Sequence, residues 1–223
     1  MPTKGRRVIH GLLLDIGGVL IRTPFELLGP TERRLGLAAG ALGSRALFSP
    51  EPDEAFDRVA TGELTERAYW QQRAEAAAPL LGTPPDTRSF MQALFDHPPA
   101  EIVRHDAAAL LTDARAAGLR TGLLTNDLYD FHGEEWVARI PVFHTVDALV
   151  DVSQHGVLKP DPRAYRLGTE AMGLEAEELL FLDDQPVNVA AARAAGLAVI
   201  RIHVTAPGEG FAKARAALGL TGR

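Results

Sequence analysis

Asp15, Asp183 and Asp184 each follow a short apolar run. A carboxylate in that place can act as a nucleophile, a general base or a ligand for a hard cation. The first run, Val8-Ile9-His10-Gly11-Leu12-Leu13-Leu14, stops at Asp15-Ile16-Gly17-Gly18-Val19-Leu20. The second, Thr121-Gly122-Leu123-Leu124, stops at Thr125-Asn126-Asp127, and the third, Leu179-Leu180-Phe181-Leu182, stops at Asp183-Asp184. Thr125 and Asn126 offer a hydroxyl, an amide and backbone N–H groups, which suit a phosphate or other oxyanion and equally suit a helix N-cap. Lys159-Pro160-Asp161-Pro162 heads a helical pattern. Pro and Asp fit a helix start, whereas a lysine beside its positive end is unfavourable unless an anion lies nearby. Asn188 lies four residues beyond Asp184 and can face back toward the same place.

Short apolar runs bounded by turn residues read as buried parallel strands. In an open α/β sheet, ligands bind outside the carboxyl ends of such strands. Three strand ends can therefore bring Asp15, Thr125, Asn126, Asp183 and Asp184 to one crevice. Carboxylates gathered there repel one another unless a cation sits among them, and hard oxygen donors suit Mg²⁺.

The rest of the chain must supply that sheet. After Ala100, helix and strand alternate. Glu101–Ala117 is a helical pattern closed by Gly118, Ala148-Leu149-Val150 a short strand, and Asp161–Met172 a helix closed by Gly173. Val187–Ala195 is an Ala-rich helix closed by Gly196, Leu197-Ala198-Val199-Ile200 a strand, and Gly210–Leu218 a final helix. The alternation predicts an α/β, Rossmann-like, doubly wound parallel sheet. From Thr23 to Phe95 the rhythm breaks. Helical patterns there are punctuated at Pro30, Gly43, Pro50-Glu51-Pro52, Gly62, Gly82 and Pro84-Pro85. We read a small helical cap over 23–95, inserted after the first strand, with residues 1–22 and 96–223 forming the core; an insert leaving a strand's carboxyl end is placed to act as a lid.

Composition narrows the function classes. The chain of 223 residues has 23 Lys and Arg against 29 Asp and Glu, a net charge of −6. That disfavours non-specific binding to nucleic acid or an anionic membrane. With no cysteine there is no disulfide, no thiolate nucleophile and no Cys-ligated metal. No apolar stretch approaches bilayer length. The basic start, Met1–Arg7, precedes a run that soon meets Asp15, which reads as a core strand and not a signal peptide. A cytoplasmic protein is expected, and the oligomeric state stays open.

Taken in order, Asp15-Ile-Gly-Gly-Val-Leu, Leu-Leu-Thr125-Asn126, Lys159-Pro-Asp-Pro and Phe-Leu-Asp183-Asp184-Gln-Pro-Val-Asn188 resemble the haloacid dehalogenase-like hydrolase superfamily. The wording is most similar to the branch containing the phosphatase domain of soluble epoxide hydrolase and related bacterial phosphatases. The resemblance implies a Mg²⁺-dependent phosphomonoesterase acting on a small phosphorylated metabolite through an aspartyl phosphate. It implies Asp15 as nucleophile and metal ligand, with the Gly17 carbonyl and Asp184 as further ligands. Thr125, Asn126 and Lys159 would hold the phosphoryl group, and Asp183 and Asn188 would support them from behind. One departure stands out: many of these phosphatases carry a second Asp, a general acid and base, where this chain has Gly17. His10, His144 and His155 offer no evident substitute. Two other readings remain: a phosphate-binding or regulatory protein without turnover, suggested by Gly17, and a 2-haloacid dehalogenase, which would attack carbon and need no Mg²⁺.

Overall fold

The computed structural model describes residues 8–49 and 52–220. It divides into two compact units, one of Met1–Ile21, Val103–Leu128 and Ala138–Arg223, the other of Arg22–Ile102 and Tyr129–Val137. No described helix is long and apolar enough to cross a membrane.

The first unit holds five strands: β1 (Gly11–Leu14), β2 (Arg120–Thr125), β3 (Ala148–Asp151), β4 (Leu179–Asp183) and β5 (Ala198–Arg201). All pair in parallel, in the order β3-β2-β1-β4-β5. The chain runs outward from β1 to β2 and β3, then returns to the other side of β1 for β4 and β5. The order thus reverses at β1, where a doubly wound sheet opens its crevice. Leu12, Leu13 and Leu14 are wholly buried, as are Leu123, Leu124, Phe181 and Leu182. Strands covered on both faces read as continuous apolar runs instead of alternating ones. The helix Pro162–Met172 rests directly on them: a Cβ at Gly168 would stand 3.1 Å from Leu124 Cδ2 and 3.2 Å from Leu13 Cδ2.

Three local expectations are corrected. The first strand is shorter than its apolar run, since Val8 is exposed and pairing starts at Gly11. Glu101–Ala117 is not one helix but two, Pro99–Ile102 and His105–Ala116. Between them the chain extends so that Val103 bridges Ile21 and the Arg104 N–H donates to the Leu20 carbonyl. That pairing ties down the chain leaving β1. Pro30 does not break its helix, which runs over Pro24–Leu35 with Phe25, Leu27 and Leu28 buried. Packing there outweighs the hydrogen bond that proline forgoes. Of the other breakers, Pro50 and Glu51 lie outside the described residues.

The second unit is helical: Pro24–Leu35, Glu54–Ala60, Glu66–Leu81, Thr87–Leu94 and Pro99–Ile102 carry most of it. Thr23 and Glu26 form a reciprocal capping box at its first helix. Phe25 lies 4.9 Å from Trp70 and 5.0 Å from Phe56, centroid to centroid, so aromatic rings fill much of this core. Tyr129–Val137 joins it through His132, which stacks on Trp136 at 4.1 Å and meets Phe95 edge-on at 4.6 Å.

The His132 Nδ1 is buried without a hydrogen-bond partner, and burial holds the imidazole down at about 3. An unfolded histidine titrates near 6.5. Between about pH 6.5 and pH 3 the unfolded chain therefore binds a proton that the folded chain does not. Stability falls as pH falls through that window, by at most about 1.4 kcal/mol per pH unit for this group. Trp70 and Trp136, the two tryptophans, both lie in the helical unit, so their fluorescence reports its unfolding. In urea titrations at pH 7 and pH 5, His132→Phe is expected to lose less stability on acidification than the native protein. Equal losses would show that His132 contributes nothing to the pH dependence.

Candidate active site

Strand register decides who meets whom. Leu14 of β1 pairs with Leu123 of β2 and with Leu182 of β4. The next residue on β1 is Asp15, whose N–H donates to the Leu182 carbonyl at 2.8 Å. Asp15 therefore stands level with Leu124 and Asp183 on its two neighbours.

Lys159 enters this level from below the strand ends, its side chain 1% exposed. Its ammonium donates to Asp15 Oδ1 at 2.9 Å, to Asp183 Oδ2 at 2.8 Å and to the Leu124 carbonyl at 3.1 Å. An ammonium has three hydrogens, and three acceptors take them. Asn126 holds the lysine's backbone in both directions: the Lys159 N–H donates to Asn126 Oδ1 at 2.8 Å, and Asn126 Nδ2 donates to the Lys159 carbonyl at 3.1 Å. The side-chain amide predicted to meet a phosphate is thus turned to the lysine. What Asn126 has left for an oxyanion is its main-chain N–H and the second hydrogen of Nδ2. Thr125, buried at the end of β2, directs its hydroxyl at the Asn126 carbonyl at 3.3 Å. Asp127 follows in the left-handed region, with φ of 56°. Asp tolerates that conformation through its short polar side chain.

Asp183 is wholly buried with both oxygens occupied. Oδ1 accepts from the Gln185 N–H at 2.8 Å and Oδ2 from Lys159, while Asn188 Nδ2 reaches both oxygens at 3.2 Å. Tyr165 then donates its hydroxyl to the Asn188 carbonyl at 2.9 Å. Asp184 is partly exposed, and its carboxylate lies against Gly18: a Cβ on Gly18 would stand 2.8 Å from Asp184 Oδ2. Asp15, Asp183 and Asp184 each place an oxygen within 4.8 Å of the others. Gly17 is exposed, without a left-handed φ, and a Cβ there would meet nothing within 4 Å.

Asp15 and Asp183 share one ammonium, and Asp184 brings a third carboxylate to the cluster. Burial pushes the Asp15 carboxyl up to about 7, against the pull of Lys159 and with Asp183 adding to the rise. Burial alone would lower the Lys159 ammonium, but Asp15 and Asp183 overcome it and hold the group above its ordinary range. These three carboxylates could hold a metal ion, and an all-oxygen donor set fits Mg²⁺.

Several supporting residues escaped the sequence reading. Arg201 closes β5 and its Nε donates to the Asp184 carbonyl at 3.1 Å. Arg104 Nε donates to the Gly18 carbonyl at 3.2 Å. Asp151 closes β3 opposite Thr125 and caps the following turn through the Ser153 N–H and hydroxyl. The strand-end rule that singled out Asp15 also reaches Arg201 and Asp151 once each strand is extended by one residue. Arg104 and Tyr165 carry no such signal, because only the fold brings them here.

A family profile described as haloacid dehalogenase-like hydrolase matches residues 9–196. The phosphoserine phosphatase of Thermus thermophilus is 31% identical over 166 residues, covering 73% of this chain and 65% of that protein. Bifunctional epoxide hydrolase 2 of Sus scrofa is 25% identical over 205 residues, covering 88% of this chain and 37% of that protein. An (S)-2-haloacid dehalogenase of Xanthobacter autotrophicus is 31% identical over 137 residues, covering 60% and 53% respectively. Each match spans less than two thirds of the relative's own length. A solved structure of L-2-haloacid dehalogenase from Xanthobacter autotrophicus shares the fold, with a TM-score of 0.53 at 22% identity over 87% of this chain and 78% of that one.

The buried triad makes a stability prediction. In Lys159→Met, Asp15 and Asp183 remain buried with no cation between them, and the expected loss is about 3–5 kcal/mol in urea unfolding. Adding Asp183→Asn should recover part of that loss, a coupling of about 0.5–3 kcal/mol in the double-mutant cycle. Simple additivity of the two losses would mean that the ammonium and Asp183 do not depend on each other.

Proposed function

The chain belongs to the haloacid dehalogenase-like hydrolases, and on that premise we propose that it is a Mg²⁺-dependent phosphomonoesterase acting on a small phosphorylated metabolite. The observation that carries this reading is the meeting of three carboxylates at the strand ends, with Lys159 between Asp15 and Asp183 and an oxygen of Asp184 within 4.8 Å of both acids. Oxygen donors gathered in this way suit a hard cation, and a bound cation would let a phosphate dianion approach the carboxylates.

In this reading Asp15, Asp184 and the Gly17 carbonyl hold Mg²⁺. When bound, that ion neutralises charge on the phosphoryl oxygens and on the nucleophile. Asp15 attacks phosphorus through a carboxylate oxygen and becomes an aspartyl phosphate, which water hydrolyses. The Thr125 hydroxyl and the main-chain N–H groups that follow it receive phosphoryl oxygens. Lys159 keeps Asp15 ionised and aligned. Asp183 and Asn188 keep the lysine in place, with Tyr165 behind Asn188.

The dehalogenase relative supports a second reading, in which Asp15 displaces halide from carbon. That chemistry has no use for a second cation, and the Asp184 carboxylate beside Asp15 argues against it. Loss of turnover would be the third reading; the arrangement of Lys159 on Asp15 weighs against it, since mere phosphate binding has no need of an aligned nucleophile.

Release of phosphate from a panel of phosphorylated metabolites, and of chloride from 2-chloropropionate, should be measured with Mg²⁺ and with EDTA. Phosphate release is expected only with Mg²⁺, with no chloride release. Asp15→Asn should lower it by roughly 10⁴ or more without changing the unfolding midpoint by much. Asp184→Ala should raise the Mg²⁺ concentration needed for half activity. Metal-independent chloride release would overturn the phosphatase reading.

A further inference from the structure

We infer that the phosphates this site cleaves well are those whose leaving oxygen departs without a proton, aryl and acyl phosphates, and not simple alkyl phosphates. This rests on the phosphatase reading and adds the substrate class to it.

The protons around Asp15 are already engaged. All three hydrogens of the Lys159 ammonium are on acceptors, Asp15 Oδ1, Asp183 Oδ2 and the Leu124 carbonyl. The Asn126 amide faces the Lys159 backbone, and the Thr125 hydroxyl faces the Asn126 carbonyl. The Tyr165 hydroxyl is on the Asn188 carbonyl. Asp183 is wholly buried, with both oxygens accepting. Asp184 lies in the acidic cluster with its carboxylate against Gly18. Two residues beyond the nucleophile the chain is exposed and presents only Gly17, with nothing within 4 Å of where a Cβ would be.

Of the five histidines of this unit, His105 is 95% exposed beside Asp106 and His144 meets the Ala138 carbonyl; the sheet places the other three. His10 precedes β1 and pairs with Glu178 at the amino edge of the sheet, the end away from Asp15. His155 follows β3 and His203 follows β5, each two strands from β1. Two strand spacings are roughly 10 Å.

The consequence follows bond by bond. The Asp15 oxygen bonds to phosphorus, the bond from phosphorus to the leaving oxygen breaks, and the electron pair goes with that oxygen. With no proton offered by the groups described above, it departs as an anion. A phenol has a pKa near 10 and a carboxylic acid near 4, whereas an alkoxide approaches the far greater basicity of hydroxide. Phenolates and carboxylates can therefore leave unaided and alkoxides cannot. In the second half-reaction a water oxygen bonds to phosphorus, the bond to Asp15 breaks, and the water proton passes to a phosphate oxygen or to solvent. None of the groups described above takes it, so this step is slow.

The test is kcat/KM, with Mg²⁺ present, for substituted phenyl phosphates, acetyl phosphate and cyclohexyl phosphate, the last matching phenyl phosphate in size. It is run on the native protein and on Gly17→Asp, whose new side chain has open space and an ordinary backbone. The native protein is expected to show a steep fall of kcat/KM with leaving-group pKa. It should also release a burst of phenolate before steady state and show a solvent isotope effect near one on kcat/KM. Gly17→Asp should flatten the slope, raise cyclohexyl phosphate turnover by about 10²–10⁴, the usual contribution of a placed acid, and introduce a normal isotope effect. Binding of fluoroberyllate, followed by calorimetry, should be similar in both proteins, showing that the site loads equally. A flat slope in the native protein, with phenyl and cyclohexyl phosphates cleaved alike, overturns the inference while leaving the phosphatase reading intact. No phosphate release from any substrate by either protein overturns the phosphatase reading and the inference with it.

Discussion

The Lys159 ammonium is the constraint around which the sheet unit is arranged. A charge removed from water costs several kcal/mol unless its hydrogens find good acceptors. Here they do, and each acceptor comes from a different strand end: Asp15 after β1, the Leu124 carbonyl on β2, Asp183 on β4. The parallel register that sets Leu14 beside both Leu123 and Leu182 is thereby also the register that closes the lysine's coordination. A slip of one residue on any of the three strands would leave a buried hydrogen without a partner. The lysine's backbone is fixed as firmly, by both hydrogen-bonding groups of the Asn126 amide. The polar order continues outward through Asn188 to Tyr165, whose ring packs 6.0 Å from Phe181 in the core. Site and core are one connected structure, and that keeps a charged group in a fixed place.

Such a site is stable in shape and crowded with carboxylates. Asp15 carries the consequence, its carboxyl pushed up to about 7 by burial. Of the three acids it is also the one whose two oxygens are divided, Oδ1 toward Lys159 and the Ile16 N–H, leaving Oδ2 for something else. Asp183 has no such freedom and Asp184 sits at the partly exposed margin. The three carboxylates therefore have separate tasks although the sequence presents them as three similar strand ends. Burial and hydrogen bonding make the distinction, and neither is written in the apolar run that precedes each one.

That division marks how much was legible beforehand. Continuous apolar runs gave away the buried parallel strands, and the residue types at their ends located Asp15, Thr125, Asp183 and Asp184, because those signals are local. Lys159 was legible as an electrostatic mismatch at a helix start, and its anions are Asp15 and Asp183. What stayed hidden depends on distant chain. The interruption at Val103-Arg104 exists because Leu20 and Ile21 need partners there, some eighty residues away in sequence, which no helical periodicity could reveal. Asn126 was read as facing a ligand because its type suits one; its actual partner, the Lys159 backbone, is supplied by tertiary structure.

The adjacent glycines Gly17 and Gly18 look alike in sequence and are held for opposite reasons. Gly18 has φ of 74°, where an L side chain is strained, and a Cβ would press into the Asp184 carboxylate and Val204. Backbone and packing both demand glycine there, so it places the third carboxylate of the cluster. Gly17 answers to neither demand: its backbone is ordinary and the space around its missing Cβ is open. Folding does not require glycine at 17, and many other residues would leave the strand, the turn and the acidic cluster as they are. The structure thus leaves position 17 free of the demands that fix position 18, two residues from Asp15, whose carboxylate is held by Lys159 and the Ile16 N–H.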